Sequence, residues 1–302
     1  MSLRLATDDE KRARDAVTYA AWGSGLSAAQ FLARELRLRA HPWAKGAMRT
    51  WLWTGPAGEV LASCETFELG SEVGGTRGRA WVVASVFVEP PLRRRGHAAA
   101  MLAALLERLR VEPLAQAVVL FSEVGADLYA RLGFFAVPSF DTWFEPGGAA
   151  PAEVTWLNAP LAAPPAPAAA AQVLHVPVDA GQVGWHLERE RFYAEALGRA
   201  ALPAHGARLG ESSAAWTAYW RASELHVLWL DVRDPAHRAP LVRAARWAAA
   251  EAGLASVRVW ETTPLSDLEG ARRARRDDEI AMFAPLVPGV AGWTHVERAL
   301  WA

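Results

Sequence analysis

The stretch Trp81-Val-Val-Ala-Ser-Val-Phe-Val-Glu-Pro-Pro-Leu-Arg-Arg-Arg-Gly-His-Ala-Ala-Ala-Met-Leu102 organises the chain. Val82 to Val88 is a β-branched apolar run that stops at Pro90-Pro91. Arg93, Arg94, Arg95 and Gly96 follow, and then an Ala/Leu-rich segment from Ala98 to Leu109. This order predicts strand, basic glycine-containing turn and helix. Free N–H groups and the positive end of the dipole at such a helix start form an anion site. The arginines add charge, and Gly96 lets backbone approach a ligand because no Cβ intervenes.

Working outward, Leu3 to Ala6 alternates as a short strand, and Thr7-Asp-Asp-Glu10 starts a helix. A second helical pattern follows Gly23-Ser-Gly25, with Ser27 as its N-cap. Trp51 to Thr54 and Glu59 to Leu69 read as strands around the turn Gly55 to Gly58, and Gly70 to Gly78 as a glycine-rich loop. Beyond the central stretch, Ala117 to Val124 is a buried strand. Gly125 to Leu132 is a short helix closed by Gly133, and Phe134–Val137 and Thr142–Phe144 are closing strands.

Residues 159–172 are almost only Ala and Pro and read as a linker between units at 1–158 and 173–302. A length of 302 residues suits two domains. The second unit repeats strand–helix–strand at Leu225–Val232, Pro240–Gly253 and Ala255–Glu261, which points to a duplicated fold. Its turn, Asp234-Pro-Ala-His-Arg-Ala-Pro240, has no glycine, so the second copy is expected to have lost the anion site.

Net charge −1 supplies no field for nucleic acid or anionic lipid. One cysteine excludes an internal disulfide framework and a thiolate metal cluster, so no metal site is expected. The polar N-terminus and the absence of an apolar run near ~20 residues predict a cytoplasmic protein with no membrane partner. The oligomeric state is left open. Most of the 15 tryptophans belong to cores or cleft walls, leaving few to touch a ligand.

The turn Arg93-x-x-Gly96-x-Ala98 and, about 35 residues on, Leu128-Tyr129-x-x-x-Gly133-Phe134 together resemble the GCN5-related N-acetyltransferase (GNAT) family. The resemblance implies an α/β (α+β) fold: a mixed central sheet flanked by helices, followed by a second, degenerate GNAT-like domain. It implies acetyl-coenzyme A as co-substrate, its pyrophosphate on Arg93, Arg94, Arg95, Gly96, His97, Ala98 and Ala99, and its amide arm along Val86, Phe87 and Val88 toward Ser122. Pairing of that arm with the strand edge is physically reasonable, as is polarisation of the thioester carbonyl by a strand N–H. Tyr129 is the implied general acid for the leaving thiolate.

Glu65, in Ser63-Cys-Glu-Thr-Phe67, is a candidate base among apolar neighbours. Holding the substrate's cation and facing solvent are the other readings. Cys64 has no His nearby in sequence and reads as a small core residue rather than a nucleophile. In the second half, Trp185, His186 and Glu190 are candidate substrate contacts. His186 and Glu190 share a helix face at i, i+4, as they also would on an ordinary amphipathic helix.

Ser63-Cys-Glu-Thr, Ala84-Ser-Val-Phe, Pro91-x-Arg-x-Arg-Gly-x-Ala98, Val119-Leu-Phe-Ser-Glu-Val-Gly125 and Trp185-His186 with Arg189-Glu190 and Phe192 resemble fungal Lyc1-type lysine acetyltransferases. That implies transfer to the ε-amine of free L-lysine or a similar small amine. An aminoglycoside, polyamine or protein amine is the alternative acceptor. A non-catalytic acetyl-coenzyme A-binding protein is the alternative class.

Overall fold

A computed structural model describes residues 1–158, 161 and 170–301. Most of the expected linker, 159–160 and 162–169, lies outside the described residues. The first half runs β1 (Ser2–Leu5), α1 (Asp8–Trp22), α2 (Ala28–Ala40), α3 (Pro42–Ala47), β2 (Met48–Thr54), β3 (Val60–Val73), β4 (Thr76–Phe87), α4 (His97–Arg110), β5 (Ala115–Ser122), α5 (Asp127–Ala130), β6 (Phe135–Ala136), β7 (Phe140–Phe144) and β8 (Thr155–Leu157). The second half runs β9 (Val173–His175), α6 (Ala180–Leu197), β10 (Gly206–Leu209), β11 (Ser212–Tyr219), β12 (Glu224–Asp231), α7 (Arg238–Glu251), β13 (Ser256–Trp260), β14 (Arg272–Arg275), β15 (Ile280–Pro285) and β16 (Gly292–Thr294).

The helix starts follow the chemistry of their caps. Thr7 with Glu10, and Ser27 with Gln30, each form a reciprocal capping box that satisfies backbone N–H groups the helix leaves over. The expected loop at Gly70–Gly78 is instead a hairpin: β3 continues to Val73, β4 begins at Thr76, and Gly74 and Gly75 turn with positive φ. Glycines at Gly70 and Gly78 sit inside paired strands, and at Gly78 a Cβ would run into the Gln116 side chain.

Two sheets result. The first has the order β1-β2-β3-β4-β5-β15-β6, and the second β14-β7-β13-β12-β11-β10-β8. In each, an antiparallel pair leads through a helix to a parallel neighbour: β3-β4-α4-β5 in one, β11-β12-α7-β13 in the other. The duplication read from the sequence is therefore present as architecture.

The sheets do not divide at the expected linker. β7 and β8, from the first half, lie in the second sheet; β9, β15 and β16, from the second half, lie in the first or on its margin. The exchange is reciprocal: β15 inserts between β5 and β6, and β7 between β13 and β14. Sequence periodicity marks strands but not the sheets they join, so this exchange had no local signal.

The α4 side of the first sheet packs Met101, Leu102, Leu105 and Leu106 against Cys64, Trp81, Val83 and Leu120, with Met282 and Ala284 of β15 completing that core. The opposite side packs Phe67, Leu69, Val82 and Val119 with Leu38, Trp185, Trp260 and Phe283. Between the halves lies an enclosed ionic cluster. Asp141 on β7 accepts from Arg258 Nε and Arg276 Nε, each at 2.8 Å, and Glu279 pairs with Arg258 and Arg298, each at 2.9 Å.

A chain stopped at residue 165 lacks β15 and uncovers the β5 edge. It is expected to be insoluble or to melt without cooperativity, and to turn over no substrate. Circular dichroism melting checks this, and a soluble, cooperatively folded 1–165 fragment would show that the first sheet closes without the exchanged strand.

Candidate active site

β4 is paired on one side only at its C-terminal end. Its parallel ladder with β5 ends at Val83–Leu120, although β4 continues to Phe87 and β5 to Ser122. On its other side β4 stays with β3 to the pair Ser63–Phe87. The register shifts there, so Cys64 faces both Ser85 and Val86, and Ser85 takes φ +53°. This is a β-bulge, which bends and twists the strand. The β5-facing edge from Ala84 onward is open, and an extended amide chain can add to it as a strand does. At its end, Val88 O accepts from Arg93 Nε at 3.0 Å. The Phe87 ring turns away from the opening toward α1, 5.6 Å from Trp22, with Arg14 5.2 Å from its centroid.

The basic turn lies directly beyond this edge. Pro90–Leu92 forms one 3₁₀ turn, Arg94 takes φ +63°, and Gly96 takes φ +81° as N-cap of α4. No side chain caps α4, so the N–H groups of its first turn, His97, Ala98 and Ala99, remain for an external acceptor. Arg94 and Arg95 are exposed and make no ion pair among the described residues. Uncapped amides, two left-handed residues and unpaired arginines together fit a pyrophosphate. The corresponding turn of the second unit differs: Asp234 accepts from Ala236 N at 2.9 Å as cap of the 3₁₀ turn Pro235–His237, and the turn has no glycine.

Ser122 is buried, and its hydroxyl serves its own turn, donating to Gly125 O and accepting from Val124 N. Only its backbone is free to meet a ligand. The turn leads to α5, where Tyr129 is 6 % exposed and packs edge-on to Phe134 at 5.9 Å. Burial, with Cys64 and Glu123 nearby, pushes its phenol up to about 12, so it keeps its proton at neutral pH. Cys64 is fully buried on the same side, and burial pushes its thiol up as well; it is a core residue.

Glu65 faces the other side of β3. Strand alternation separates it from Cys64, and it accepts from Ser85 Oγ at 2.8 Å. It is half-buried. Burial and the nearby Glu35 carboxylate raise it to about 7, against the opposing pull of Ser85 and Arg39. Arg39 is bound to Asp15 by both terminal nitrogens and lies 3.8 Å from Glu35. Asp15 and Glu35, which sequence reasoning missed, make this an acidic corner next to the parting strands. Their spacing along α1 and α2 resembles that of any exposed helical charge. Ser85 lies within the strand read from sequence, but its positive φ has no residue-type signature.

The three candidates on α6 part company. Trp185 is 5.8 Å from Phe67, two positions along β3 from Glu65, and donates to Leu38 O at 3.2 Å. His186 is enclosed and donates from Nε2 to Ala299 O at 2.8 Å; burial holds it well below its ordinary pKa. Glu190 differs from the expectation of a substrate contact. It is 4 % exposed and accepts from Thr217 Oγ1, Ala218 N and His205 Nε2 at 2.8, 2.8 and 3.0 Å. Its carboxylate ties α6 to β11 and leaves nothing for a ligand. No group of three or more His, Cys, Asp or Glu side chains among the described residues is placed to hold a metal, and no helix among them is long and apolar enough to cross a membrane.

The model of the acetyltransferase (GNAT) family matches residues 17–134, and that of the LYC1 GNAT-like C-terminal domain matches residues 149–284. The chain belongs to the GNAT superfamily. It is a tandem GNAT N-acetyltransferase, and acetyl-coenzyme A is the co-substrate of the family. Among solved structures, Eis1 from Mycobacterium abscessus is 14% identical with TM-score 0.58, over 95% of this chain and 74% of that one. A GCN5-related N-acetyltransferase from Kribbella flavida is 17% identical with TM-score 0.52, over 94% and 72%. A tandem GNAT protein from the clavulanic acid biosynthesis pathway is 15% identical with TM-score 0.50, over 95% and 99%. At these identities the likeness is one of fold. No curated protein matches the sequence.

Because Glu35 is the largest electrostatic cause of the raised Glu65 titration, Glu35→Gln is expected to lower the Glu65 midpoint from about 7. Carboxyl ¹³C NMR titration reads this directly, and an unmoved midpoint would assign the shift to burial alone.

Proposed function

We propose that this GNAT moves the acetyl group of acetyl-coenzyme A to the primary amine of a small molecule, the ε-amine of L-lysine or a similar amine, by direct attack in a ternary complex. The observation that carries this reading is the parting of β4 from β5, with Glu65 on one side of the sheet and Tyr129 on the other. The amide edge Val86–Val88 holds the pantetheine arm, Arg93 to Ala99 hold the pyrophosphate, and the Ser122 backbone borders the thioester. Acetyl-coenzyme A supplies an activated acyl group, so positioning suffices and no covalent enzyme intermediate is needed.

An amine enters as an ammonium and must lose a proton to become a nucleophile. Glu65, raised to about 7, takes that proton. The amine nitrogen then bonds to the carbonyl carbon, whose oxygen meets a backbone N–H at the bulge. The carbon–sulfur bond breaks, and Tyr129, still a phenol at neutral pH, protonates the departing thiolate; the second amine proton, lost as the amide forms, restores the phenol. Lysine as acceptor is supported by the Lyc1-type resemblance and by the LYC1 domain match over the second half. A cytoplasmic setting belongs to the same reading, since a single buried thiol calls for no oxidising compartment.

A thiol-release assay against an amine panel headed by L-lysine tests the reaction, and binding of acetyl-coenzyme A without turnover on any amine would overturn it. Tyr129→Phe is expected to lower kcat by roughly 10²–10⁴-fold, the range for a lost general acid, with acetyl-coenzyme A affinity little changed. An unaltered kcat would remove Tyr129 from the mechanism.

A carboxyl that titrates at about 7 is in its proton-accepting form above that pH. The kcat/KM profile should therefore fall as pH drops through 7, and Glu65→Gln should lose both that limb and most of the rate. A profile of unchanged shape in Glu65→Gln would assign the base elsewhere.

A further inference from the structure

Arg189 on α6 is half-buried among aromatic rings and makes no ion pair among the described residues. Its guanidinium lies 5.2 Å from the Trp185 ring and 4.8 Å from the Trp301 ring. Only Nη2 has a recorded protein acceptor, His186 Nδ1 at 3.2 Å. Neighbouring enclosed arginines all have carboxylates: Arg34 has Glu35, Arg298 has Glu279, and Arg258 has Asp141. A half-buried cation without an acid beside it keeps a partial desolvation cost, and burial brings this guanidinium down to about 10.

The surroundings hold Arg189 in place. His186 donates from Nε2 to Ala299 O, so its Nδ1 is the acceptor that fixes Nη2. The two indoles limit the plane of the guanidinium. Nε and Nη1 are left with no hydrogen-bond acceptor among the described residues.

Contacts locate this group above the reactive strand. Trp185 stands on Phe67 of β3, opposite Val82. Trp301 adjoins Arg298, which lies over Trp260, which in turn packs on Phe121 of β5 at 5.0 Å. Arg189, between Trp185 and Trp301, therefore lies on the side of the first sheet that carries Phe67 and Phe121, the same side as Glu65. One end of this region carries Glu65, with Glu35 and Asp15 beside it on Arg34 and Arg39; the other presents Arg189, which has no ion pair among the described residues.

We propose that Arg189 receives the carboxylate of the acceptor, so that the substrate is an amine that also bears a carboxylate and binds with its amine toward Glu65. Planar guanidinium and carboxylate match as a two-point pair, which fixes orientation as well as charge. Trp185 and His186 then act as positioning residues for Arg189. Diamines and polyamines lack the group this site needs and leave the cation uncompensated. The inference rests on the proposed transfer to a small amine, and it can fail separately from it.

Calorimetric titration of the full-length protein loaded with coenzyme A tests it without requiring turnover. The probes are L-lysine and 6-aminohexanoate against cadaverine. The carboxylated amines are expected to bind at least tenfold more tightly than cadaverine. In Arg189→Met that ratio should fall toward one, and Arg189→Lys should keep part of it. Equal affinities in the unmodified protein, no binding of either carboxylated amine, or an unchanged ratio in Arg189→Met would each overturn the assignment. If Arg189→Met does not fold, the comparison in the unmodified protein and in Arg189→Lys decides. Absence of acetylation with the carboxylate preference intact would sink the transferase reading and leave the subsite standing.

Discussion

The site depends on the point at which β4 loses one neighbour and keeps the other. Through Val83 the strand is held by β3 and β5; beyond it only β3 remains. Two strands with right-handed twist separate readily once something bends one of them, and the bulge at Ser85 and Val86 supplies the bend. Residues with positive φ outside glycine are uncommon, and their cost persists only where the surroundings hold them. Here the Ser85 hydroxyl donates to Glu65. The same hydrogen bond thus steadies the bulge that opens the strand edge and orients the carboxylate beside it.

Keeping the opening in shape requires a firm sheet on the far side of β5. That firmness comes from β15, a strand supplied by the other half of the chain. The first half gives β7 in return, and Asp141 on β7 stands at the centre of the ionic cluster with Arg258 and Arg276. Enclosed pairs of this kind are poor sources of net stability against an apolar alternative, yet removing one partner costs roughly 3–5 kcal/mol. Such a cluster therefore acts against wrong assembly: an exchange that failed would leave Arg258 and Arg276 buried without Asp141. The two halves form one folding problem rather than two domains joined by a tether.

What could be read from sequence followed how local its cause was. The turn Arg93–Ala98, the caps at Thr7 and Ser27, and the motif Leu128–Phe134 are each set within a few residues of sequence. The strand exchange, the bulge at Ser85 and the acidic corner of Asp15, Glu35 and Glu65 are set by tertiary pairing. Glu190 shows the limit plainly. At i, i+4 from His186 it looked like a cleft residue, but the approach of β11 consumes its carboxylate. Helical spacing shows that two side chains share a face; it does not show what that face meets.

The second unit has exchanged its own chemistry for service to the first. Its turn, Asp234 to His237, is a 3₁₀ turn capped by the Asp234 carboxylate, with no glycine to bring backbone against a phosphate. Freed from that constraint, the unit contributes β15 to the catalytic sheet and sets α6, Trp260 and Trp301 over the face that carries Glu65. A glycine-free turn in one copy and enclosure of the Glu65 face of the other are consistent parts of one arrangement. β12 parts from β13 beyond Val227–Val259 much as β4 parts from β5, so the second unit keeps the parted edge and lacks the basic, glycine-containing turn beyond it.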